Sequence, residues 1–233
     1  MNGFGVLYRK EMAAIFYSPI AYAVIAVFML LMGYTFCAQL FHTRGLSLVP
    51  MLFQAAMLLI LTIPLLTMRQ FAEERSSGTL ELLMSTPVSD LAVVLGKFFA
   101  SLSVVVLMLC LMLAYPMALA NFSEPDWGPI LSGYIGLLML SSALISVGLA
   151  ISALTSNQMV AAVLSLGLSL LLWMAEVIGV LLPQPFDQLM LSLSLDGRFA
   201  PFATGAVYLS DFGFFFSFSM IGVLLCVGAL ARR

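Results

Sequence analysis

One histidine, three cysteines and two lysines bound the chemistry open to this 233-residue chain. His42 stands alone, so no metal cluster built on several histidines can form. Cys37, Cys110 and Cys226 lie far apart in apolar runs and match no CxxC redox or metal spacing. Gly96-Lys97 is no phosphate loop, because Leu91 stands where GxxxxGK[ST] needs glycine and Phe98 where it needs Ser or Thr. The strings Leu131-Ser132-Gly133 and Ser76-Ser77-Gly78 do not supply the GxSG of an intramembrane serine protease. The sequence argues against an enzyme.

The polar residues are concentrated between Arg69 and Asp90, where Arg69, Glu73, Glu74, Arg75 and Glu81 precede Asp90. Ser77 or Thr79 can cap a short helix that Pro87 ends near Ser85, and Ser89 or Asp90 can cap the helix that follows. Leu80, Leu83 and Met84 share one face at i, i+3, i+4 spacing, with Glu81 off that face. Two turns of helix do not stand alone in water. The Leu/Leu/Met face must therefore dock, either on its own chain or on a partner. Two other carboxylates stand in apolar surroundings. Glu11 falls on the apolar side of its helix, where it either reaches the interface or faces protein. Glu176 lies within a membrane-length apolar run, where a charge near the centre costs about 2.5–3.5 kcal/mol, and so faces the bundle or water. It is the one acidic candidate for an intramembrane polar site.

The elements that position these groups are membrane helices. Hydrophobic residues make up 63% of the chain and charged ones 9%, against about a quarter charged in soluble domains. A net charge of −2 lacks the basic footprint of a nucleic-acid binder. Six stretches are apolar enough to cross the bilayer, at 19–41, 51–68, 98–120, 129–154, 159–182 and 212–231. The first begins too late and runs too long for a cleaved signal peptide. Residues 1–17 precede them as an interfacial helix, with Phe4, Leu7, Tyr8, Met12 and Ile15 on one face and Arg9 and Lys10 off it. Seven Lys and Arg fall on one side of the membrane (Arg9, Lys10, Arg69, Arg75, Lys97, Arg232, Arg233) and two, Arg44 and Arg198, on the other. That bias puts both termini in the cytoplasm. Ser142, Ser146 and Ala150, and likewise Ala161, Ser165 and Ser169, form small-residue stripes for close helix packing. Pro64 and Pro116 should kink the second and third spans.

The segment EERSSGTLELLMSTPVSD, with VLGKF after it, resembles the signature of ABC-2-type permeases, the membrane subunits of one class of ATP-binding-cassette transporters. The similarity is closest to the gliding-motility-type branch. RKEMAAIFYSPIAYAVIAVF resembles that family's N-terminal helix and first span, and SALTSNQMVAAVLSLGLSLLLWM its fourth-to-fifth span junction. FAPFATGAVYLSDFGFFFS matches more loosely. The resemblance implies an all-α fold of six spans, with 69–90 as a cytoplasmic coupling region whose helix enters a cleft of an ATPase subunit. Leu80, Leu83 and Met84 would fill the cleft. Glu73, Glu74, Arg75 and Glu81 would set its register beside Thr79, Gly78 would permit the turn in, and Pro87 the way out. It implies no cofactor on this chain, with ATP and Mg on the partner ATPase. A second permease copy or a paralogue completes the pore, and an accessory membrane protein can join. Residues 183–211 would form a re-entrant element of amphipathic segments at the outer face. A bacterial inner (plasma) membrane exporter is the implied setting.

Two rivals remain at the level of sequence. An ion-gradient-driven transporter needs an intramembrane ion site, for which Glu176 is the candidate, and inverted repeats. The loops 69–97 and 183–211 match in size but share no motif. A membrane scaffold for a cytoplasmic machine predicts the same docking helix without solute movement.

Overall fold

Every element of the computed structural model, which describes residues 3–42, 47–79, 89–121, 125–184 and 186–231, is a helix. Long apolar runs leave little choice, because backbone N–H and C=O groups in lipid must pair within their own segment. In chain order the helices are α1 (Gly3–Tyr17), α2 (Pro19–His42), α3 (Val49–Thr67), α4 (Arg69–Ser76), α5 (Asp90–Met112) and α6 (Ala114–Ala120). They continue as α7 (Trp127–Leu154), α8 (Gln158–Trp173), α9 (Ala175–Val180), α10 (Phe186–Leu193), α11 (Leu195–Thr204) and α12 (Leu209–Ala231).

Among the described residues, five helical stretches are long and apolar enough to cross a membrane: Pro19–Leu40, Val49–Ser76, Asp90–Ala120, Trp127–Leu154 and Leu209–Ala231. The stretch expected as a span at 159–182 is divided instead. Met174, at φ −81° and ψ 1°, separates the 16-residue α8 from α9. Alone, α8 rises about 24 Å, less than the roughly 30 Å of hydrocarbon. Hydrogen bonds still cross the break, from Met174 N–H to Leu170 O (2.9 Å) and from Ile178 N–H to Met174 O (3.0 Å). The two prolines act differently. α3 runs through Pro64, with Met68 N–H reaching the Pro64 carbonyl at 2.9 Å. The third span breaks at Leu113, three residues before Pro116, where a proline ring and its missing N–H disturb the preceding turn.

α7 is the hub. Its apolar window is 72% buried, against 22% for α12. Small residues make that enclosure possible, since a missing Cβ lets another element come close. Gly133 faces Leu52, Gly136 faces Phe202 and Phe199, Gly148 faces Thr67, and Gly222 of α12 faces Ser146. Ser146 is buried, and Ser142 shares a 2.9 Å hydrogen bond with Ser219 of α12. Ala161, Ser165 and Ser169 are each 1% exposed, so both stripes pack within the chain.

These pairings fix direction. Leu52 meets Gly133 and Thr67 meets Gly148, so α3 and α7 run parallel. One end of the bundle gathers α1, the end of α3, α4, the start of α5 and the end of α7. The other holds the start of α3, the start of α7 and α11. α1 lies along α5: Leu7 sits against Gly96, and Tyr8 OH pairs with Ser103 Oγ at 2.8 Å. The expected face of α1 points inward at Leu7, Tyr8, Met12 and Ile15, with Arg9 and Lys10 exposed. The side chain of Phe4 lies outside the described set.

Candidate functional site

α4 is short and polar, and holds its place through groups supplied by other helices. Met68, which stands at its start, offers no side chain that caps it, and a residue of another helix does. That residue is Ser152 of α7, from across the bundle. Its hydroxyl accepts the N–H groups of Phe71 and Ala72, each at 3.1 Å, and donates to Met68 O at 3.0 Å. Those N–H groups would otherwise be unpaired in the first helical turn. Phe71 and Ala72 beneath them are fully buried. Arg75 Nη1 donates to Ala153 O at 3.0 Å, where the carbonyl end of α7 favours a cation. Arg69 Nε donates to Gln158 Oε1 at 3.2 Å and lies 3.9 Å from Glu73 Oε2. Gln70 Nε2 donates to Ser101 Oγ of α5 at 3.2 Å.

The far end of α4 turns sharply. Ser77 Oγ donates to Glu73 O at 2.9 Å and Thr79 Oγ1 to Glu74 O at 3.3 Å, so both hydroxyls serve the end of α4. Gly78 has φ +71°, a conformation that costs glycine least. The turn aims the chain into 80–88. Leu80, Glu81, Leu83, Met84 and Pro87 lie outside the described residues, as does any helix they form.

The structure also assembles a group not singled out from the sequence. Lys97 of α5 is 1% exposed. Its Nζ lies 2.9 Å from Glu74 Oε1 of α4 and 3.1 Å from Glu11 Oε2 of α1. The same ammonium stands 5.1 Å from the Phe71 ring centroid, within cation–π range. Lys10 completes the group from the exposed side, 3.7 Å from both Glu11 Oε1 and Glu74 Oε1. Two cations face two carboxylates, which is what makes their burial tolerable. Beside them opens a cleft of about 430 Å³, apolar along Ala14, Ile15 and Leu66 and polar along Arg69, Gln70 and Glu73.

Of the polar residues assigned to a partner from the sequence, Glu74 turns inward to Lys97, Arg75 bonds α7, and Glu73 is exposed. Glu11 takes the protein-facing alternative, at 5% exposure. A usable signal was present: two opposite charges in apolar surroundings of a chain with few charges.

Glu176 sits elsewhere, exposed on α9 and beside Gly197 of α11, where a Cβ would come within 3.0 Å of its Oε2. Burial, with the Glu176 carboxylate adding to it, raises the neighbouring Asp196 above the ordinary range of its kind. Glu176 and the α4 group are not brought together. Among the described residues, no three His, Cys, Asp or Glu side chains converge as a metal site would need.

The family model for the ABC-2 family transporter protein matches residues 39–231, most of the chain. The chain belongs to the ABC-2 transporter family. No curated protein matches it. As an ABC-2 permease it is an integral membrane subunit of an ABC transporter, a kind that pairs with a cytoplasmic ATPase subunit. The matched residues include Glu74 and Lys97 of the buried group. Glu11 and all of α1 lie ahead of them.

Proposed function

We propose that this ABC-2 permease exports its substrate with energy from ATP hydrolysed by a separate ATPase chain, and that residues 69–90 are the coupling region. The observation that carries the reading is the fastening of α4. Ser152, Ala153 and Lys97, from two different spans, hold a polar helix that ends in the left-handed turn at Gly78 and leads straight into the Leu80–Pro87 segment. A push on that segment would reach α5 and α7 together, tilting spans as rigid bodies. In this reading α8 and α9 jointly make the fifth of six crossings, and both termini face the cytoplasm of a bacterial cell. α1 lies at the inner-membrane interface and 183–211 forms the outer re-entrant element. Two permease copies, or this chain and a paralogue, form the pore, with ATP and Mg on the ATPase. The sequence motif favours the gliding-motility-type branch.

The test is purification of the tagged chain from its host in mild detergent, beside the Leu83→Asp variant, with mass spectrometry of what co-elutes. A P-loop ATPase retained by wild type and reduced at least tenfold by Leu83→Asp is expected. An ATPase held equally by both would remove the docking face, and its absence from both would remove the coupling reading.

A further inference from the structure

We infer that Lys97 is a positioning residue that makes the N-terminal helix α1 move with α4 when the ATPase acts; this rests on the coupling reading above. The two helices rest mainly on different supports: α4 lies on α7 and α8, with one hydrogen bond from Gln70 to Ser101 of α5, while α1 runs along α5. They meet at the Lys97 ammonium, which holds one carboxylate from each at 2.9 and 3.1 Å.

A second link between them, through Lys10, is weaker by geometry and setting. Lys10 stands 3.7 Å from each carboxylate, beyond hydrogen-bond reach, and its side chain is 55% exposed. Water and salt screen such a pair. Lys97 is enclosed, with little solvent to replace a lost partner, so its two bonds are strong and directional. Glu11 Oε1 and Glu74 Oε2 are buried and make no hydrogen bond among the described residues. Each carboxylate therefore depends on Lys97 for its hydrogen bonding. If α4 shifts while α1 stays, a buried carboxylate loses its donor, so the low-energy response is for both helices to move with the lysine.

Hydrogen exchange on the complex separates joint motion from simple support. The tagged chain and its co-purified ATPase are placed in lipid nanodiscs, and exchange is compared without nucleotide and with ATP plus vanadate. In wild type, residues 69–79 and 3–17 are expected to change together. Glu11→Leu, which removes the carboxylate of α1 but leaves the Lys97–Glu74 pair holding α4, should keep the ATPase and the change in 69–79, while the change in 3–17 falls at least threefold. Glu11→Gln, whose amide oxygen can still accept from the Lys97 ammonium, should retain most of it. Should Glu11→Leu fail to fold, Glu11→Ala takes its place. An undiminished response of 3–17 in a folded Glu11→Leu or Glu11→Ala protein would overturn the inference. So would a wild-type complex whose 3–17 region never responds. If no ATPase co-purifies, the coupling reading itself falls and takes the inference with it.

Discussion

At one end of the bundle a buried lysine joins carboxylates from two helices. At the other, the Phe199 and Phe202 rings of α11 are pressed against α3 and α7. Phe199 meets Phe53 edge to face at 5.5 Å between centroids, and Phe202 meets Phe212 at 5.2 Å. Both rings are fully buried. α11 is stopped by Gly205 at φ +93°, and Ser132 Oγ of α7 donates to Phe202 O at 2.7 Å. One ion pair marks the rim, Arg198 Nη1 to Asp211 Oδ1 at 2.9 Å, with Arg198 a third exposed. The contrast is between few, directional bonds and many weak, shape-dependent ones. Loss of one buried charge strands its partners, whereas an aromatic contact is shared over many atoms. The charged end is therefore suited to transmitting a discrete displacement, and the aromatic end to filling space.

That comparison can be broken or sharpened by substitution. The largest effect is expected for Lys97→Met, which leaves the buried Glu11 and half-buried Glu74 carboxylates with only the exposed Lys10 beside them and should cost about 3–5 kcal/mol, read by denaturant titration in mixed micelles. A loss below that for Gly136→Ala would erase the contrast. Gly136→Ala should cost about 1–3 kcal/mol by overpacking in the same titration, because its Cβ would stand 2.6 Å from Phe202 Cβ and 2.9 Å from Cγ. Neither of those atoms is the free end of a flexible chain. Ser152→Ala should cost least, about 1–2 kcal/mol for a lost helix cap. Its signature is local: faster hydrogen exchange at Phe71 and Ala72, with 195–204 unchanged. A matching change in 195–204 would mean that the two ends are not independent.

The same two ends differ in how far they could be read beforehand. At the aromatic end, residues 183–211 mix Phe, Leu and Met with Asp and Arg and read as amphipathic segments with no mark to tell one from another. Phe186 and Leu189 of α10 are exposed, and Phe199 and Phe202 of α11 are enclosed. Nothing in the local pattern separates them, because Gly136, which makes room for Phe202, lies 66 residues earlier in the chain. At the charged end, the polar run around Glu73–Arg75 stands out in the sequence, but the directions of its side chains do not. Glu74 and Arg75 have nearly the same local setting, and each finds a different long-range partner, Lys97 and Ala153 O. The break at Met174 carried no proline or glycine to mark it, so the run 159–182 reads as one helix.

The sequence by itself determined that the chain is a bundle of membrane helices, where most of them lie, and that its polar chemistry is gathered after the second span. Those features follow from composition and from short-range periodicity, since a helix in lipid must satisfy its own backbone. Its motifs also pointed to the family. Only the tertiary structure decided which charges meet. Glu11, Glu74 and Lys97 come from three separate helices, and an enclosed ion pair depends on distances of about 3 Å that no local pattern encodes.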